Sequence, residues 1–289
     1  MGGFLELMWP PLVACVVLIA MHAYLGLHVI ARGVIFVDLA LAQMAALGAT
    51  AGFLIGVAPD STAGFLVSLG FATAGAAIFA LSRTEGLRVP QEAIIGIVYV
   101  IASAATILVA DRAPRGAEHI KEMLSGTILW VTWPTIAKIA AVYAAIGVFQ
   151  YAFRDRFLTI SFEPSTAEAR GWNLRWWDFL FYASFGLVIT LSVQLAGVLM
   201  VFTFLVVPAV IAFLFGRTQL RMALVAWTTG ALASAAGLGL SYAYDLPTGP
   251  AIVCTFGLVL LGAAAARRWV RGRRPAAAPA GAAGGADRG

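Results

Sequence analysis

Long apolar runs recur along the chain, separated by short polar or Gly/Pro-rich breaks, and none of them alternates with a period of two. At roughly 20 apolar residues per crossing, they predict spans near residues 10–31, 35–56, 62–81, 92–110, 134–152, 179–196, 198–216, 223–243 and 250–266. Backbone groups in hydrocarbon must be satisfied within their own segment, so each run reads as helix. A β-barrel would need alternating ten-residue segments. The expected fold class is therefore an all-α polytopic membrane protein of about nine transmembrane helices.

Composition agrees with this pattern. The 289 residues are 61% hydrophobic and 11% charged, where a soluble domain is about 45–50% apolar and about 25% charged. With a mean hydropathy of +0.91, a water-facing surface is confined to loops and ends. That excludes a soluble enzyme, and the recurrence of the runs excludes a single-pass receptor. Fifteen of the nineteen basic residues fall on one side if Arg32 is cytoplasmic. By the positive-inside rule the N-terminus is outside and the C-terminus cytoplasmic. The chain divides into a transmembrane domain, 1–266, and a basic, then Ala/Pro/Gly-rich, cytoplasmic tail, 267–289, whose composition cannot bury a core. The tail arginines read as a membrane-proximal stop signal rather than a nucleic-acid site. No positive region precedes the first apolar run, so no cleavable signal peptide is expected.

Candidate chemistry is sparse. The lysines, Lys121 and Lys138, do not follow glycine, so there is no Walker A loop. Any ATP hydrolysis belongs to another chain, and this one is not expected to be an enzyme. His22, His28 and His119 do not fall in a HExxH spacing, and Cys15 and Cys254, in apolar runs, are expected to be buried small hydrophobes. No cofactor is expected. Between Asp111 and Trp133, Ile120, Met123, Leu124 and Ile128 predict a short interfacial helix. There His119 with Glu118 and Glu122 forms either a cation site or a solvated rim. The segment from Arg154 to Asp178 mixes both signs of charge. Ser165 or Thr166 is expected to cap a short helix carrying Glu168 in its first turn and ended by Gly171. This helix reads either as a docking surface for a soluble partner or as an interfacial loop. Within the spans Asp38 stands out, because an ionisable side chain at membrane depth faces a bundle interior or a water-filled path, or pairs with Arg32 near the interface. Gln43 follows five residues on, Glu92 reads as an interfacial cap, and Asp245 shapes a turn.

The order and spacing of several segments resemble the permease subunits of zinc/manganese/iron ABC importers. Ala196-Gly197-Val198-Leu199, Pro208-Ala209, and Ser241-Tyr242 with Asp245, Pro247 and Gly249 match that family's signature stretches. Phe162, Glu163, Pro164, Ala167 and Gly171 match its cytoplasmic Phe-Asp/Glu-Pro-x-x-Ala-x-x-x-Gly element. Glu92–Tyr99 and Leu124–Thr132 also align, so the similarity covers about residues 10–266. The chain departs from the family in its second span. Aligning Gly48 with the family's later glycine puts Gln43 at the usual histidine and Leu39 at the usual aspartate, with Asp38 one residue early. At about 100° per residue Asp38 and Gln43 lie about 140° apart.

The resemblance implies a homodimer enclosing a metal path through which manganese, zinc or iron passes as transported substrate. Asp38 and Gln43 are the candidate metal contacts, and residues 162–171 form an ATPase coupling loop. The implied partners are a cytoplasmic ABC ATPase, an extracytoplasmic metal-binding protein, a second copy of the chain and the lipid bilayer of a bacterial inner membrane. The alternative is an ion-coupled secondary carrier, which needs no ATPase and is favoured by inverted repeats with broken mid-membrane helices. No convincing repeat is found.

Overall fold

The computed structural model describes residues 2–58, 61–83, 89–112 and 126–272. Regular structure among these residues is helical. It comprises α1 (Gly2–Arg32), α2 (Val37–Leu54), α3 (Thr62–Ser82), α4 (Gln91–Ala110), a 3-10 turn (Ile128–Trp130) and α5 (Trp133–Ala152). The order continues with α6 (Arg154–Phe162), α7 (Pro164–Ala169), α8 (Leu174–Phe215), α9 (Gln219–Tyr244) and α10 (Thr248–Gly272). Eight of these helices are long and apolar enough to cross a membrane. Nine spans were expected, and the difference lies in α8. Its 42 residues would reach roughly 63 Å as one rod, about twice a ~30 Å hydrocarbon core.

The helix α8 is not one rod. Gly197 has φ 75° and ψ 158°, a region essentially closed to residues with a Cβ. The ring contacts show the consequence. Phe181 lies 5.5 Å from His28, His28 lies 6.1 Å from Phe162, and Phe162 lies 6.4 Å from Phe213. A straight helix would hold Phe181 and Phe213 roughly 48 Å apart, far beyond the sum of those steps. The chain folds back at Gly197 into segments 174–196 and 198–215, roughly 35 and 27 Å long. Each is long enough to cross, so nine membrane-length segments result among the described residues.

Gly126, also at positive φ, packs against this joint. A Cβ there would overlap the Ala196 carbonyl, and the neighbouring Thr127 amide donates to the Leu195 carbonyl at 2.9 Å.

Burial follows position in the bundle. The centre is α1 against both halves of α8, where Cys15, Leu18, Ala23, Leu25 and Val29 meet Phe181, Phe185, Val188, Phe204 and Ala209 with no exposure. The helix α4 instead presents Ile97, Val100, Ile101, Ile107 and Leu108 outward, as expected for a face against lipid tails. Where α2 meets α3, Gly48 lets the backbones approach so closely that a Cβ would come within 2.9 Å of the Ser68 Cα, the small-residue packing typical of membrane helices. Asp245 turns the chain between α9 and α10 at φ 51°, with the Ser241 hydroxyl donating to the Leu246 carbonyl at 2.8 Å. The final helix continues through Arg267, Arg268 and Arg271 to Gly272, so residue 266 does not mark its end. The rest of the expected tail and the expected helix around His119, with Glu118 and Glu122, lie outside the described residues.

Candidate coupling segment and translocation path

The segment from Arg154 to Gly171 folds as two short helices joined at Glu163. Phe162 ends α6, Glu163 sits between the helices at φ −139° and ψ 59°, and Pro164 opens α7. Proline suits a first helical position because that amide has no intrahelical acceptor. The cap is therefore Glu163 rather than Ser165 or Thr166. Its side chain makes no cap bond to the backbone, and the Thr166 hydroxyl donates to it only at 3.4 Å. Gly171 closes the segment at φ +68°, the left-handed residue expected at a helix end. Its amide reaches the Glu168 carbonyl at 2.8 Å, and the Trp172 amide reaches the Ala167 carbonyl at 3.3 Å.

The two faces of α7 differ. Ala167 is fully buried with Ile160 and Leu174, under Trp172 and Trp177. The Arg156 guanidinium lies 4.1 Å from the Trp172 ring centre, with that of Arg170 at 5.2 Å. Glu163, Pro164, Ser165, Glu168 and Arg170 are exposed. A short helix held from below by an alanine and two tryptophans thus turns its polar side outward. Phe162 stacks on Phe213, which ties the segment to the second half of α8.

Asp38 lies in the first turn of α2, 1% exposed, with its carboxylate accepting from the Leu39 amide at 2.7 Å. Gln43 is half-buried on the same helix. The helix is continuous between them, so the two side chains are not brought together; they sit about 140° and roughly 7.5 Å apart along it. At the same end of α2 stands Glu92, whose carboxylate accepts from the Phe36 amide at 3.0 Å. Glu92 thus closes the start of α2 from the first turn of α4, whose own start has no side-chain cap bond. Among the described residues no three His, Cys, Asp or Glu side chains converge as a metal cage.

Pairing of Asp38 with Arg32 does not occur, because Arg32 is engaged elsewhere. Its Nη1 lies 2.6 Å from Asp178, and Arg83 Nη1 lies 2.7 Å from the other Asp178 oxygen. Reading the sequence as loop up to Asp178 missed this cluster. The available signal was an aspartate one turn into an apolar helix, which has to find a cation. Arg32, Arg83, Ser161 and Asp178 consequently share one end of the bundle. At the opposite end, beside the Gly197 joint, Lys138, Gln194, Thr127, Thr132 and Thr135 line an open cavity of about 240 Å³.

Comparison with known proteins bears on what such a bundle does. The profile of a family described as "ABC 3 transport family" matches residues 4–267. A "Manganese transport system membrane protein MntC" of Listeria innocua is 28% identical over 208 residues, covering 68% of this chain and 72% of that protein. A "Manganese import system permease protein ScaB" of Streptococcus gordonii is 25% identical over 254 residues, 86% of this chain and 87% of that one. Among solved structures, "PsaBC from Streptococcus pneumoniae in complex with Fab" superposes with a TM-score of 0.77 at 22% identity, covering 94% of this chain and 99% of that one.

Proposed function

The chain belongs to the ABC 3 transport family, and on that premise we propose that it lines the path of an ATP-driven importer of a divalent transition metal. It is a multi-pass permease of the plasma membrane, a transport subunit of the metal-importer type. Two copies enclose the path, an extracytoplasmic binding protein delivers the ion, and a separate ATPase docks on the other side. The observation that carries this reading is α7, a short helix anchored through Ala167 and exposed along Glu163–Arg170. It stands at the end of the bundle where the arginines collect. The positive-inside rule makes that end cytoplasmic, which is where an ATPase would have to dock.

Manganese is the first cargo to test, given the relatives named for its transport. Asp38 and the Gln43 carbonyl offer hard oxygen donors, which suit manganese or iron(II) at least as well as zinc. Without an imidazole or a closed cage, an ion is held loosely enough to leave again. A secondary carrier is disfavoured because the break at Gly197 joins two crossings rather than interrupting one.

The test is reconstitution in vesicles with and without the partner ATPase. Radiolabelled manganese should enter only with both chains and ATP, and the permease alone should hydrolyse nothing. Gradient-driven uptake by the permease alone would make it a carrier.

A further inference from the structure

The end of the bundle against α6 and α7 holds a charged cluster that neither docking nor passage of the ion, as assigned above, uses. Asp178, in the second turn of α8, has no solvent exposure. Each of its oxygens takes one guanidinium, that of Arg32 from the last residue of α1 and that of Arg83 from the residue after α3. Arg32 Nε also donates to the Ser161 hydroxyl at 2.8 Å, in the last turn of α6. The same hydroxyl lies 2.8 Å from His28 Nδ1 on α1. The Arg32 guanidinium rests 4.1 Å from the Phe181 ring centre. Four helices therefore meet through five polar side chains.

Such a cluster resists sliding. In such buried surroundings, moving Asp178 or Arg32 away costs a charged partner, and moving Ser161 away costs a buried hydrogen bond, with desolvation left uncompensated. Helices joined this way shift together or re-pair together. Re-pairing has room, since among the described residues His28 Nε2 is buried without a hydrogen-bond partner and the Arg32 guanidinium lies beside Tyr182 as well, 5.8 Å from its ring centre. The cluster also reaches the docking segment directly, because Ser161 is followed by Phe162, the Glu163 junction and then Pro164, where α7 begins.

We infer that Asp178, Arg32 and Ser161 are positioning residues that carry a displacement of the docking helix α7 into α1, α3 and α8. This rests on α7 being where the ATPase docks. Ser161 is the link from the docking segment, and Asp178 distributes the movement between the three spans. Without the serine hydroxyl, α6 and α7 still fold on their apolar contacts but no longer hold Arg32.

The test uses the complete permease–ATPase complex in vesicles with manganese as the probe, comparing the wild type with Ser161→Ala, Ser161→Thr and Asp178→Asn. Ser161→Ala should co-purify with the ATPase and hydrolyse ATP within about twofold of wild type. Its uptake should fall about fivefold or more, the lower range of measured site-to-site coupling, so that more ATP is spent per ion imported. Ser161→Thr keeps the hydroxyl and should restore the ratio, while Asp178→Asn should raise it as Ser161→Ala does. An unchanged ratio overturns the inference, whether uptake stays normal or falls in step with hydrolysis, since a static brace would do the latter. A wild-type complex without ATP-driven uptake would instead overturn the importer reading, and this inference with it.

Discussion

The fold-back of α8 predicts the sign of a single substitution. Were Leu174–Phe215 one continuous helix, Gly197→Ala would stabilise it by about 1 kcal/mol, the usual difference between the two residues in a helix interior. At the observed φ 75° and ψ 158°, the added Cβ has no comfortable place, and forcing an L residue there costs on the order of 1–3 kcal/mol. The neighbourhood gives little relief. Ala196 is fully buried, and Gly126 packs on the same peptide so closely that its own Cβ would lie 2.6 Å from the Gly197 nitrogen. With about 2–4 °C of melting temperature per kcal/mol for a chain of 150–250 residues, Gly197→Ala should lower the melting temperature by roughly 2–12 °C. A continuous helix would instead gain roughly 2–4 °C. Thermal loss of the monodisperse peak on size exclusion in mild detergent measures this directly. A rise in melting temperature would show that the chain does not turn at Gly197, and the nine-segment count would fall with it.

Three other outcomes are expected. Gly171→Val should uncouple transport by weakening ATPase association while leaving insertion intact, because its φ of +68° is costly for a side chain although the space around it is open. Gly171→Asn, which tolerates that conformation, should retain binding in a pull-down, and normal association of the valine variant would make the segment a mere connector. Asp38→Asn keeps size but removes the charge that attracts a divalent ion, so uptake of labelled manganese, iron and zinc should fall about tenfold or more against a smaller loss for Gln43→Ala, whose neutral carbonyl is the weaker ligand. Gln43→His should shift preference toward zinc, and wild-type uptake by Asp38→Asn would remove Asp38 from the path. A reporter inserted near Ser165 or fused after Gly289 should be cytoplasmic and one near Gly116 external; the reverse for Gly116 would overturn the orientation drawn from the arginines.

Hydropathy alone was enough to find every membrane-length helix, because a segment in hydrocarbon has to satisfy its own backbone and cannot borrow from a distant partner. Local chemistry was equally legible at the turns. Gly171 ends α7 and Asp245 turns α9 into α10 at positive φ, since those conformations depend on a few neighbouring residues. Even the cap of α7 was misplaced only from Ser165 or Thr166 to Glu163, within the accuracy that local pattern permits.

Tertiary structure decided where the long-range polar partners lie. Nothing near Asp178 in sequence shows that its cations come from Arg32 and Arg83, respectively 146 and 95 positions away. Glu92 reads as the start of its own helix, yet its carboxylate closes the amide of Phe36, 56 positions earlier. Asp38 reads as a possible partner of Arg32 until Asp178 is found to occupy that guanidinium. The fold-back at Gly197 was written in the sequence only as a glycine between two apolar runs. Whether such a glycine stays helical or turns depends on what packs against it, and here, from about 70 residues away, Gly126 packs against the Ala196 carbonyl while the Thr127 amide donates to that of Leu195. Apolar burial is cumulative along a segment and survives averaging over neighbours. A buried charge or a turned glycine depends on one or two distant atoms, and only the assembled bundle supplies them.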